Sequence, residues 1–134
     1  MTLSYPVAWH TLGNGLRVVV SEDHACPSAT VYLAYDVGSR DEAPGRTGLA
    51  HLFEHLMFSG SGHVAPGEHA ALMNGCGAVF NAGTSSDLTA YFQHLPAGAV
   101  DLALWLEADR MASLCDGLTQ ERLDTEREVI TQEY

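Results

Sequence analysis

The order of strand-forming and helix-forming segments predicts an α+β fold, a largely antiparallel sheet with helices packed on one face. Two observations carry that prediction: strand-like runs come in two groups, each followed by a pair of helical segments, and Asn14-Gly15 joins the first two runs as a hairpin turn. Asn-Gly between two apolar-polar alternations is the strongest short-range hairpin signal.

Tyr5 to Leu12 and Leu16 to Val20 flank that turn, and Pro27-Ser28 breaks the chain before a third strand, Ala29 to Val37, rich in β-branched and aromatic residues. A glycine-containing loop, 38–48, leads into a helix over Leu49 to Phe58. A second helix is expected near Glu68 to Met73, with Pro66 suited to its first turn and Gly75 and Gly77 at its end. Strands follow at Ala78 to Gly83 and Leu88 to Leu95, joined by the turn-like Thr84-Ser85-Ser86-Asp87. Pro96 opens a helix to about Leu114, Gly117 breaks it, and a last helix starts near Leu118, capped by Thr119 or Asp116.

The 134 residues fit one domain, 1–134, and 46% apolar against 17% charged residues reads as globular. No apolar run approaches the roughly eighteen residues of a membrane span, so no membrane partner is expected. Seventeen acidic residues face six arginines and no lysine, a net charge of −11 that repels phosphate backbones and excludes nucleic acid as an expected partner. Cys26, Cys76 and Cys115 show no CxxC spacing and are expected to be buried free thiols. With no basic segment and apolar stretch at the start, the expected location is cytoplasmic.

The chemistry concentrates in His51-Leu52-Phe53-Glu54-His55. At about 100° per residue, Glu54 falls near 300° and His55 near 40° from His51, opposite an apolar arc of Leu49, Leu52, Phe53, Leu56 and Met57. Two imidazoles four apart on one helix face can grip a single Zn²⁺ at about 2.0–2.1 Å. Glu54 lies beside them as a base able to take a proton from water and pass it to a leaving amine. On the last helix, Glu126 and Glu133 stand seven residues apart within the apolar stripe of Leu118, Leu123, Val129 and Ile130. Carboxylates on a core-facing stripe are costly unless they meet a cation or strong donors. Zinc meets that need with Glu133 or Glu126 as third ligand; pairing with Arg122 or Arg110, or simple exposure at a frayed terminus, is the alternative.

These residues, with Asn14-Gly15-Leu16-Arg17-Val18, Val37-Gly38-Ser39-Arg40, Asn81-Ala82 with Thr84, Asp87, Thr89 and Tyr91, Glu107-Ala108-Asp109-Arg110-Met111, and Glu126-Arg127-Glu128-Val129-Ile130, occur in one order along the chain. The chain closely resembles the pitrilysin family of zinc peptidases, which includes insulin-degrading enzyme and the mitochondrial processing peptidases. H-x-x-E-H is the signature of that inverted-motif class. The resemblance implies His51, His55 and Glu133 as ligands of one zinc ion, Glu54 as catalytic base, and Glu126 as support for the ligands. It implies that Asn81 and Ala82 bind extended peptide by strand addition.

The resemblance further implies a metalloendopeptidase acting on peptide or unfolded polypeptide, with a second homologous domain or subunit closing over the substrate. The chain is accordingly expected to be the truncated, zinc-binding N-terminal part of such a metallohydrolase domain. Two rival readings remain: an accessory, non-catalytic subunit that binds peptide or a partner chain, and a lyase of the S-ribosylhomocysteine type. The latter uses a cysteine as third ligand, and Cys115 lies too near a helix-helix turn to serve.

Overall fold

A computed structural model describes residues 5–133. Strands β1 (Val7–Thr11) and β2 (Arg17–Ser21) form the expected antiparallel hairpin, with Trp9 opposite Val19. Its turn closes through Asn14, whose side-chain oxygen accepts from Leu16 N–H at 3.0 Å. The hairpin is a separate two-stranded sheet, and Trp9 on it is 73% exposed.

The main sheet has three strands, β3 (Ser28–Tyr35), β4 (Val79–Thr84) and β5 (Thr89–Pro96), in the order β3-β5-β4 and antiparallel throughout. Burial alternates with period two on all three. The register aligns Val31 and Phe80 with Gln93, and Tyr35 and Thr84 with Thr89, all on the covered face. Tyr32, Phe92 and Val79 lie on the other face and are exposed. Four helices complete the fold: α1 (Leu49–Leu56), α2 (Glu68–Gly75), α3 (Val100–Gly117) and α4 (Gln120–Glu133). Against the sheet, α2 and α3 bury Val64, Met73, Ala78, Leu95, Ala103 and Leu106. Each large apolar side chain so buried contributes about 1.5–3 kcal/mol.

Several expectations are corrected by packing. The segment after Pro96 starts as a 3-10 turn, Ala97–Ala99, before α3, and α3 is kinked at Ser113 (φ −134°). Ser113 Oγ donates to the Asp109 carbonyl and accepts from Gly62 N–H, which ties the kink to the loop after α1. Cys26 and Cys115 are exposed rather than buried, and all three cysteines are free. On α4, Ile130 is buried but Val129 is exposed, so the stripe is narrower than its spacing implies. Thr119, not Asp116, caps α4: its Oγ1 accepts from Arg122 N–H at 3.2 Å.

Two polar groupings, one fully buried and one reaching the surface at His63, orient the helices around the site. Glu107 and Arg110, both 2% exposed, pair within α3, and Gln93 donates to the same carboxylate from β5. The guanidinium lies 4.3 Å from the Tyr91 ring centre and 5.1 Å from that of Phe58. Burial, with Arg110 near, pushes His69 down to about 4, so it is neutral at pH 7. In the second grouping, Ser61 and His63 share the Asp109 carboxylate at 2.5 and 2.6 Å. Those hydrogen bonds, Ser61 foremost, hold Asp109 below the usual carboxylate range. At the α3–α4 junction, Gly117 sits where a Cβ would come within 2.8 Å of the Ser61 carbonyl oxygen. That close approach directs α4 back along α1.

Candidate metal centre

Helix α1 has eight residues, too few to be stable in isolation. Its ends are held from elsewhere. Glu42 reaches forward from the preceding loop and accepts from the N–H groups of Gly48 (2.9 Å) and Ala50 (2.8 Å). Those first-turn donors have no partner inside a helix, and an anion there also meets the positive end of the dipole. The same bonds, Ala50 first and then Gly48, hold the Glu42 carboxyl below its ordinary range. At the other end, Arg110 donates to the Met57 carbonyl at 3.4 Å. The apolar side of α1 is covered unevenly: Leu56 and Met57 are buried, while Phe53 is 53% exposed. Beside Phe53, an open hollow of about 450 Å³ is lined by Tyr35, Arg46, Leu49, Met57 and Tyr91.

The polar side of α1 faces α4. His55 Nε2 lies 3.2 Å from His51 Nε2, and Glu133 Oε2 lies 3.4 Å from His51 Nε2 and 3.5 Å from His55 Nε2. Three ligand atoms therefore form a nearly equilateral triangle. Four ligands at about 2.0–2.1 Å from Zn²⁺ in a tetrahedron are spaced about 3.3–3.4 Å apart, 1.63 times the bond length. The triangle matches one face of such a tetrahedron. Among the described residues, His51, His55 and Glu133 are the group of three able to hold one ion. Glu126 Oε2 lies 3.3 Å from His55 Nδ1. With a proton on Nδ1 facing that carboxylate, the Nε2 lone pair would be on the side of the triangle.

Glu126 is half-buried, whereas the Glu133 side chain remains 46% exposed, so the stripe buries its two carboxylates unequally. Neither arginine weighed from the sequence takes them. Arg110 is engaged with Glu107, and Arg122 donates to the Gly117 carbonyl.

Glu54 points toward the end of β4, where the Thr84 hydroxyl donates to its Oε2. Asn81 and Ala82 lie upstream on the same strand, which among the described residues pairs with β5 alone and so is an edge strand. Asn81 faces away from the helices, and its Oδ1 accepts from Ala82 N–H at 2.9 Å. The fold thus brings His51, Glu54, His55, Glu126 and Glu133 together and sets Asn81 and Ala82 on the strand that ends at Glu54.

Glu42 has no sequence signal for its role, because its partners lie 6 and 8 residues on, outside the local capping patterns. Val37-Gly38-Ser39-Arg40 acquires a physical meaning here. Ser39 and Arg40 N–H donate to the Ser85 and Ser86 carbonyls at 3.1 and 3.0 Å, which pins the β4–β5 turn.

The fold that carries this helix pair has counterparts among known proteins. A family model described as Insulinase (Peptidase family M16) matches residues 17–134. The chain belongs to that family. It is 38% identical over 124 residues to the zinc protease PqqE of Helicobacter pylori, covering 92% of this chain and 28% of that protein. It is 33% identical over 123 residues to a probable mitochondrial-processing peptidase subunit beta of Schizosaccharomyces pombe, covering 92% and 26%.

Among solved structures, a protease from Helicobacter pylori superposes with a TM-score of 0.91 at 35% identity, covering 97% of this chain and 31% of that one. The periplasmic protease PqqL from Escherichia coli superposes at 0.85 with 25% identity, covering 99% and 16%. The chain therefore spans under a third of the length of these relatives.

Proposed function

We propose that the chain is the zinc-binding part of a metalloendopeptidase that hydrolyses peptide bonds in peptides or unfolded polypeptides. The triangle of His51 Nε2, His55 Nε2 and Glu133 Oε2, with edges of 3.2, 3.4 and 3.5 Å, carries this reading. These residues would hold one zinc ion per chain, and Glu126 would keep His55 in the ligating tautomer. When bound, zinc supplies the Lewis acidity that polarises a carbonyl and acidifies water. Glu54 takes the proton from water and delivers it to the leaving amine. Asn81 and Ala82 accept an extended peptide along the free edge of β4, with the Asn81 side chain turning away from Ala82 N–H to release that donor.

The open hollow beside Phe53 favours a second reading. In it, the chain requires a second homologous domain or subunit, or serves as the non-catalytic member of such a pair. Metal analysis and cleavage of an unstructured fluorogenic peptide test both. About one zinc per chain is expected, with Glu54→Gln keeping the metal and losing cleavage. Protein that takes up no zinc even when supplemented would overturn the ligand assignment. Cleavage seen with a homologous partner but not with the chain alone would select the second reading.

A further inference from the structure

We infer that Thr84 is a positioning residue that fixes the carboxylate of Glu54 relative to the β4 edge; its catalytic consequence rests on the peptidase reading above, its geometry does not. Thr84 ends β4 and Thr89 begins β5, and the two are register partners with hydroxyl oxygens 3.3 Å apart. The buried Thr89 hydroxyl donates to the Val37 carbonyl at 3.1 Å. Its single proton is thereby used, and an ionised carboxylate can only accept. The Thr84 proton is left for Glu54 Oε2, and the Thr84 oxygen stays beside Thr89.

The rest of the neighbourhood immobilises this donor. Threonine is stiff at χ1. The turn between the strands is pinned by Ser39 and Arg40 N–H, and Ser85 N–H donates to the Leu88 carbonyl at 2.9 Å. Thr84 therefore cannot follow a moving Glu54; Glu54 must follow Thr84. The hydrogen bond occupies Oε2, and Oε1 has no hydrogen-bond partner among the described residues. One oxygen is anchored to the strand and the other is available to a proton in transit. Because Asn81 and Ala82 lie on that same strand, a peptide paired along β4 would be held in register with the base by one short piece of backbone. Loss of the anchor should leave peptide pairing intact and misplace the base, which lowers kcat and spares KM.

The test compares Thr84→Val, which keeps shape and removes the hydroxyl, with Thr84→Ser, which keeps the hydroxyl; Thr84→Ala is a second hydroxyl-free variant should valine misfold. The full chain is labelled with ¹³C at glutamate carboxyls, and Glu54→Gln identifies the Glu54 signal. Removing the hydroxyl is expected to shift that signal, leave zinc content unchanged, and lower kcat about 10- to 100-fold with KM within about twofold. Serine is expected to restore both readouts. An unmoved Glu54 signal in Thr84→Val, or failure of serine to restore it, would overturn the assignment. If the wild-type chain binds no zinc, the peptidase reading fails, and the carboxyl signal still decides whether Thr84 anchors Glu54.

Discussion

At the scale of single residues, Gly38 and Glu133 show how differently two positions constrain the site. At Gly38 a Cβ would collide with the Ser85 carbonyl oxygen and lie 2.5 Å from that of Ser86. Both are backbone atoms held in a turn, so they cannot yield as a flexible side chain would. Gly38→Ala is expected to destabilise the chain by about 1–3 kcal/mol through overpacking at this contact. A lowered urea midpoint with an unchanged slope is the measurement that checks it. Glu133 is half-exposed and tolerates substitution sterically; its part in the proposed zinc site is chemical. The spacing of α4 put Glu126 and Glu133 on one stripe without telling them apart; the resemblance singled out Glu133, and its place beside the histidines came from the packing of α4 on α1. Gly38 was legible as part of a motif, yet the reason for a glycine there lies 47 residues away in the Ser85 carbonyl.

At the scale of elements, α1 depends on its neighbours. Glu42 at its first turn and Arg110 at its last carbonyl supply partners that eight residues cannot provide for themselves. The pH dependence follows from the depressed Glu42 carboxyl. A group whose folded value lies below its unfolded value of 4.5 contributes fully above 4.5, and that contribution is lost as pH falls through the folded value. Glu42→Gln should therefore be less stable than wild type at pH 7, and the gap should close as the pH is lowered below the carboxylate range. Thermal unfolding of both proteins at several pH values measures it, and a gap independent of pH would refute it. The sequence indicated where α1 begins through its apolar periodicity, but it carried no mark of what caps it. Val129 marks the opposite limit: its spacing on α4 puts it in the apolar stripe, and the packing of α4 on α1 alone leaves it in solvent.

At the scale of the whole molecule, α1 and α4 come together through contacts in the segments that follow the one and precede the other. Gly117 closes against Ser61, Ser113 kinks α3, and Asp109 gathers Ser61 and His63. These set the direction in which α4 returns past α1. A metal held between the two helices would bind the folded chain and not the unfolded one. Zinc at about a thousandfold above its Kd is then expected to stabilise the fold by about 4 kcal/mol, a rise in Tm of roughly 15 °C. Calorimetry with and without a chelator tests this. A Tm indifferent to zinc would mean that the two helices do not share an ion.

By itself, the sequence determined what repeats locally. His51, Glu54 and His55 share one helix face because positions three and four apart coincide on any α-helix. Burial alternates along β3, β4 and β5 because side chains on any strand do. The expected α+β order of elements and antiparallel pairing followed from such local patterns. Tertiary structure alone decided what joins one element to another: that Glu133 meets Nε2 of both histidines while Glu126 meets Nδ1 of one, that Glu42 caps α1, and that Thr84 holds Glu54. Those contacts span from 6 to 82 residues along the chain, counted from Glu42–Gly48 to His51–Glu133. Periodicity fixes direction within an element; the distance between two elements comes from how their cores, turns and buried charges pack.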